Sequence, residues 1–186
     1  MGTHETFPID LGQFQPLEFE PGVESLPPDQ KKQLARNVQL CRDAIVFFTA
    51  TGAARGVGGH TGGAWDIVPE MLLADAFMRG SGPVYKAYFD EAGHRVAIQY
   101  LFSVLNGHLP ATALMHYREA FAHLPGHPEL GHTPGIGFSS GRLGHLWPHV
   151  NGVAMANPGE SVFCFTSDGS LQEGIAGCRN AVQFIE

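Results

Sequence analysis

Apolar residues recur at three- and four-residue steps through Leu34, Val38, Cys41, Ile45 and Phe48, which predicts a helix opened by Asp29 and ended by Gly52. A second helix is expected over Ile67 to Met78, capped by Asp66, with Pro69 tolerated in its first turn. A third runs from His94 to Leu105 and stops at Asn106-Gly107. A fourth runs from Ala111 to His123, with Leu114, Tyr117, Phe121 and Leu124 on one side. The glycine-spaced segment Leu143 to Ala156 reads as a fifth. Pro83 to Phe89 is a short extended segment, and the apolar run Val162 to Phe165 reads as a buried strand. It stops at Ser167-Asp168-Gly169, and a helix-compatible segment follows from Leu171 to Ile185. Loops fill 56–63, rich in glycine, and 125–141, dense in Gly, Pro and His. In residues 1–28, Phe7, Leu11, Phe14, Leu17 and Phe19 are spaced irregularly among Pro, Glu and Gly. That stretch is expected to be an extended arm lying across the body of this chain or a partner.

Helices around few strands, with one clear strand-to-helix unit, predict an α/β fold with a mainly parallel sheet. Residues 29–186 read as one domain, the front part of such a sheet, with further strands expected beyond Glu186. Composition narrows the class. Charged residues make up 16% of the chain against a typical value of about 25%, which predicts a surface partly covered by another subunit. The net charge of -7 speaks against nucleic acid or an anionic membrane as partner. No apolar run reaches the roughly 18 residues of a membrane span. Cys41, Cys164 and Cys178 lie among apolar residues without CxxC spacing, as buried free thiols do. A cytoplasmic location is expected.

The strand that ends in Asp168-Gly169 and feeds a helix brings together a carboxylate for a hard cation, a backbone open to close approach, and the positive end of a helix dipole. This suits a metal-bound diphosphate at the carboxyl end of a strand, where open α/β sheets carry ligands. An ordinary Asp-Gly turn remains the alternative for these residues alone. Histidines stand beside glycines at Gly59-His60, Gly93-His94, Gly126-His127 and Gly131-His132. Such turns can aim an imidazole into a cavity, where it suits phosphate or hydroxyl recognition. Taken singly, a loop histidine is more often a solvated surface group or a core residue bonded to a carbonyl. His145 and His149 share a helix face at i, i+4, but no Glu follows the first, and Pro148 interrupts the helix, so a zinc site is not expected.

In order along the chain, Gly59-His-Thr-Gly62, Ala92-Gly-His94, Pro125-Gly-His-Pro-Glu129, Ser140-Gly-Arg-Leu-Gly144 with Gly152-Val-Ala-Met-Ala156, and Ser167-Asp-Gly-Ser-Leu-Gln-Glu-Gly174 resemble the N-terminal, diphosphate-binding domain of transketolase. The resemblance runs from about Gln30 to the end of the chain. It implies a thiamine-diphosphate-binding fold and the transfer of a two-carbon ketol unit between sugar phosphates. By this resemblance Asp168 ligates Mg²⁺ or Ca²⁺ and the Gly169 amide touches the diphosphate, as does His94. His60 and His127 face the reacting sugar, Gly141 and Leu143 lie along the aminopyrimidine, and Glu173 couples active sites across a subunit interface. Ser167, Glu91-Ala92 and His145-Leu146 depart from the family's Gly-Asp-Gly, Ser-Asn-Gly-His and Gly-Gln-Gly. The family's second metal ligand and its second domain would lie past Glu186. The resemblance therefore implies an enzyme completed by another chain or segment, as a homo- or hetero-oligomer, and inactive alone. A non-catalytic transketolase-like scaffold module and a thiamine-diphosphate enzyme using a 2-oxo acid donor are the alternatives.

Overall fold

The computed structural model describes residues 6–173. Its first helix, α1 (Pro28–Ala54), carries Pro at its start and Asp29 in its first turn, both favoured there. It buries Cys41, Ala44, Ile45 and Phe48, the stripe set by the three- and four-residue spacing. A short helix, α2 (Gly62–Asp66), precedes α3 (Val68–Arg79). Asp66 thus ends one helix instead of capping the next, because helical geometry already begins at Gly62 within the expected loop. Then come β1 (Val84–Asp90), a 3₁₀ turn at Gly93–Arg95 and α4 (Val96–Leu105). Further along lie α5 (Trp147–Ala156), β2 (Ser161–Phe165) and α6 (Asp168–Leu171). Most of the segment expected as a helix from Leu171 to Ile185 lies outside the described residues, with Cys178.

β1 and β2 pair in parallel, Tyr88 opposite Phe163 and Asp90 opposite Phe165, with a register shift between Val84 and Tyr88. β2 was expected to be buried and is only half-buried; among the described residues it pairs with β1 alone. The two-stranded sheet meets the α/β expectation in a helix-rich form.

The centre of the molecule is α4, whose residues Val96 to Ser103 are all buried. A helix apolar on every side belongs in an interior, and α1, α2 and the 3₁₀ turns surround this one. The expected helix over Ala111 to His123 is instead a 3₁₀ helix at Ala111–His116 followed by turns. Arg118, Phe121 and His123 take positive φ, a conformation that ends any helix. Leu114, Tyr117 and Leu124 are buried, but Phe121 is 98% exposed, so the four never form one stripe.

The arm lies along the body. Phe7 meets Phe47 edge-on at 5.6 Å, and buried Phe19 packs on Phe77 at 5.4 Å. Asn37 reads the arm's backbone in both directions, donating to the Gln15 carbonyl at 2.6 Å and accepting from its amide at 3.3 Å. Cys41 and Cys164 are free thiols. Burial pushes both up to about 12. No helix among the described residues is long and apolar enough to cross a membrane.

Candidate functional site

The carboxyl ends of both strands are joined by one guanidinium. Asp90 is fully buried at the end of β1 and receives Arg95 through Nε at 3.1 Å and Nη2 at 2.5 Å. The same Nη2 donates to the Thr166 carbonyl just beyond β2 at 3.2 Å. The Ala92 amide and Gln99 complete the bonds to Asp90. Burial pushes the Asp90 carboxyl up, and the bonds from Arg95 pull it back. Ser167 then caps α6, its hydroxyl accepting from Ser170 N at 3.2 Å while Ser170 Oγ accepts from Ser167 N at 3.0 Å. Its φ of -129° is ordinary extended backbone. Serine therefore fits where the family has its first glycine. Asp168 is exposed in the first turn of α6.

Three of the expected histidines are gathered here. The glycine-rich loop is tied to α1 by the Thr49–Thr61 hydroxyl pair at 2.8 Å. Gly59 lies on the buried Tyr117 ring so closely that a Cβ would sit 2.7 Å from Cε1. This places His60 edge-on to His94, with ring centroids 5.1 Å apart. His127 follows Pro125, whose carbonyl accepts from Tyr100 Oη at 2.6 Å. A Cβ on Gly93 would lie 2.8 Å from Gly141 N and 3.0 Å from His127 Cδ2. Gly141 itself has φ +131° and lies against His127, so glycine is required there on both counts. Leu143 reaches Gly169, and Glu173 covers Gly144. The turn 141–144 is thus shared by His127 on one side and the start of α6 on the other. His132 lies apart, against His123 at 5.0 Å.

His94 is held below the ordinary histidine range by burial first, then by His60 and Arg95, with His127 adding to them and Asp90 opposing. Cation-capable groups facing one another in this way suit an anion, whose charge would relieve them. The close approaches at Gly93 and Gly141 let the two turns and the His127 ring meet without intervening side chains. These features fit a diphosphate. For a cation the fit is conditional: among the described residues no three His, Cys, Asp or Glu side chains form a metal cluster. Asp168 could hold a hard cation only with further oxygens, from the bound group or from outside the described residues.

Glu91, a departure from the family's pattern, has a structural role that its place in the sequence did not disclose. It is fully buried. Its amide donates to the Phe165 carbonyl at 2.9 Å, its carbonyl accepts from Ser140 Oγ at 3.2 Å, and its Oε2 accepts from Leu146 N at 2.9 Å. Burial raises its carboxyl, while the Leu146 and Gly144 amides and the nearby His145 lower it. Among the described residues Oε1 has no partner. Asp90, Glu91 and Arg95 were missed as site-builders because ionisable residues beside a helix read as solvated surface; the acids end an extended run, which was the available signal.

A helix-rich α/β domain with glycine and histidine turns gathered at the carboxyl ends of parallel strands defines the class. A sequence model described as transketolase, thiamine diphosphate binding domain, matches residues 85–182, more than half of the chain, and the chain belongs to that family. One of the subunits of apulose-4-phosphate transketolase from Actinobacillus succinogenes is 29% identical over 154 residues, 76% of this chain and 54% of the relative. Transketolase 2 of Escherichia coli is 32% identical over 157 residues, 72% of this chain and 23% of the relative. The chain therefore spans about half the length of the first and under a quarter of the second. The solved transketolase from Leishmania mexicana superposes with a TM-score of 0.62 at 23% identity, covering 78% of this chain and 24% of that one, and shows the same fold.

Proposed function

We propose that this chain is the thiamine-diphosphate-binding part of a transketolase-type transferase that moves a two-carbon ketol unit between sugar phosphates. The remainder of the active site comes from another chain or segment, in a homo- or hetero-oligomer, and the assembly works in the cytoplasm. The observation that carries this reading is the contact of Gly93, Gly141 and His127 beside the His60–His94 pair, at the carboxyl end of a parallel strand pair. One relative is by name a single subunit of an apulose-4-phosphate transketolase, which supports a divided enzyme.

In this reading His94 and the Gly169 amide hold the diphosphate, and Asp168 holds Mg²⁺ or Ca²⁺ whose other oxygens come from the ligand and beyond this chain. Gly141 and Leu143 border the aminopyrimidine. Thiamine diphosphate, when bound, supplies an electron sink for carbanion chemistry. His60 and His127 donate and accept protons at sugar oxygens, and imidazoles serve that task near neutral pH. Glu173 links paired sites. Calorimetric titration of thiamine diphosphate with Mg²⁺ tests the reading, with the chain alone and mixed with a candidate complementary polypeptide. Asp168→Ala is expected to weaken binding at least tenfold. Unchanged affinity would refute the cofactor role and favour a scaffold module, and decarboxylation of a 2-oxo acid without ketol transfer would redirect the substrate class.

A further inference from the structure

A cleft of about 310 Å³ opens beside the middle of β1, at the low end of the roughly 300–1,000 Å³ usual for small-molecule sites. It shares no residue with the turns gathered at the carboxyl ends of the strands. Its floor is apolar: Phe102 and Phe138 are buried, and the Tyr88 ring meets Phe138 edge-on at 5.8 Å. Its rim is polar and draws on the ends of two helices. Arg79, in the last turn of α3, donates through Nε to buried Asp75 at 2.6 Å and through Nη2 to Asn106, the C-cap of α4. Lys86 Nζ donates to the Met78 and Gly80 carbonyls, each at 2.8 Å, which leaves one of its three protons unused. The Tyr88 hydroxyl and the His108 ring belong to the same lining, and among the described residues neither has a hydrogen-bond partner.

From this convergence we propose that the cleft lined by Lys86, Tyr88, His108 and Phe138 is a binding site for a small aromatic monocarboxylate, separate from the cofactor site and independent of the transferase reading above. Asp75 already neutralises Arg79, whereas Lys86 forms no ion pair among the described residues, so one positive charge is available. Charge-assisted bonds from the third Lys86 proton and from the spare N–H groups of Arg79 suit a carboxylate. A dianion fits less well. The carboxyl ends of α3 and α4 lie at the cleft beside Asp75, and each is the negative end of a helix dipole. The floor sets the rest of the ligand: the rings of Tyr88, Phe102 and Phe138 favour an aromatic body packed edge-on or offset. Burial raises the Tyr88 phenol, which therefore stays protonated and donates. A phenol shut away from water without a partner is a cost that a ligand oxygen relieves.

The test uses the full chain and four probes, benzoate, benzamide, acetate and phenyl phosphate, followed by the His108 ring C2–H resonance and by calorimetry. Benzoate is expected to shift that resonance and to bind at least tenfold tighter than each of the other three. Lys86→Gln should lower its affinity at least tenfold, toward that of benzamide. Gly137→Leu is a second variant, chosen to fill the cleft: a Cβ there would rest at an ordinary 3.7 Å from Ala87, which also lines it. It should abolish benzoate binding with the circular dichroism spectrum unchanged. Equal binding of benzoate and benzamide overturns the inference, as does undiminished benzoate affinity in either variant. Acetate binding as tightly as benzoate marks a bare anion site, and phenyl phosphate binding more tightly marks a phosphate site; each result also overturns it. The absence of benzoate binding, or binding that leaves the His108 resonance in place, has the same effect. No thiamine diphosphate is present in these titrations, so they decide the cleft whether or not the transferase reading stands.

Discussion

Arg95→Met removes the group that joins the two strand ends, and its cost follows from burial. Asp90 is fully buried, and Arg95 is its sole cationic partner among the described ion pairs, through a side chain only 12% exposed. The Ala92 amide and Gln99 Nε2 remain after the substitution, at 3.0 and 3.4 Å, and neither carries charge. Breaking a buried pair by removing one partner costs about 3–5 kcal/mol, because the other charge stays uncompensated. The Thr166 carbonyl also loses its donor. Against a total stability of about 5–15 kcal/mol this is a large fraction. For a chain of this size it lowers the melting temperature by roughly 6–20 °C. Urea unfolding followed by circular dichroism reads the loss. The double variant Asp90→Asn/Arg95→Met removes the stranded charge and should recover most of it, as a cycle on contacting residues allows. A loss below about 1 kcal/mol for Arg95→Met, or a double variant no more stable than the single one, would refute the reasoning.

His94 should titrate below the ordinary histidine value of about 6.5 in the free chain, since burial and the nearby His60 and Arg95 disfavour its protonated form. Between the depressed folded value and the unfolded one, the unfolded chain binds more protons. Stability therefore rises with pH across that window and is complete above it. An NMR titration with an apparent value at or above the ordinary one contradicts the mutual crowding of these groups; bound diphosphate should move it upward, with proton uptake. Gly93→Ala places a Cβ 2.8 Å from Gly141 N and 3.0 Å from His127. It should cost about 1–3 kcal/mol and weaken thiamine diphosphate, both measured by titration; retention of both means that these turns do not meet.

Much of the scaffold was legible because it obeys one period at a time. The α1 stripe differs from its predicted bounds by a residue or two at each end, and the extended segment at Pro83 to Phe89 became β1 almost unchanged. The segment after Ala111 was not legible. Its spacing matches a helix, but Tyr117 must enter the core against Phe48 and Tyr100, and Leu124 must bring Pro125 to Tyr100 Oη. Tertiary packing overrode local propensity there, at the cost of three left-handed residues. In the candidate site, the glycine-flanked histidines could be recognised as a set only through their order. Their meeting depends on what a missing Cβ permits at Gly93 and Gly141, which are far apart in sequence. The acids and the arginine behind them were invisible for another reason: burial, not residue type, gives Asp90, Glu91 and Arg95 their importance.

Two of the departures from the family's motifs, at Glu91 and at His145-Leu146, meet at one place. Glu91 stands where the family has serine, and His145-Leu146 where it has Gln-Gly; in space these residues are neighbours. Glu91 accepts from Leu146 N, and His145 draws the same carboxyl toward ionisation. Leu146, the bulk that replaces a glycine, is 5% exposed and packs with Phe89, Phe138 and Val150. Random decay after loss of activity would scatter its changes and leave buried charge without partners, at a cost of several kcal/mol each. Here a new buried carboxylate comes with the amide that binds it and an imidazole that favours its charge. A new apolar side chain comes with a cluster that encloses it. Packing and hydrogen bonding thus accommodate both departures together. Glu91→Gln keeps the acceptor for Leu146 N and removes the charge, so it should leave the fold nearly as stable, whereas Glu91→Ala leaves that buried amide unsatisfied, at about 1–3 kcal/mol. Equal stability of the two variants in urea would mean that the carboxylate merely fills space, and the coupling of these departures would fail with it.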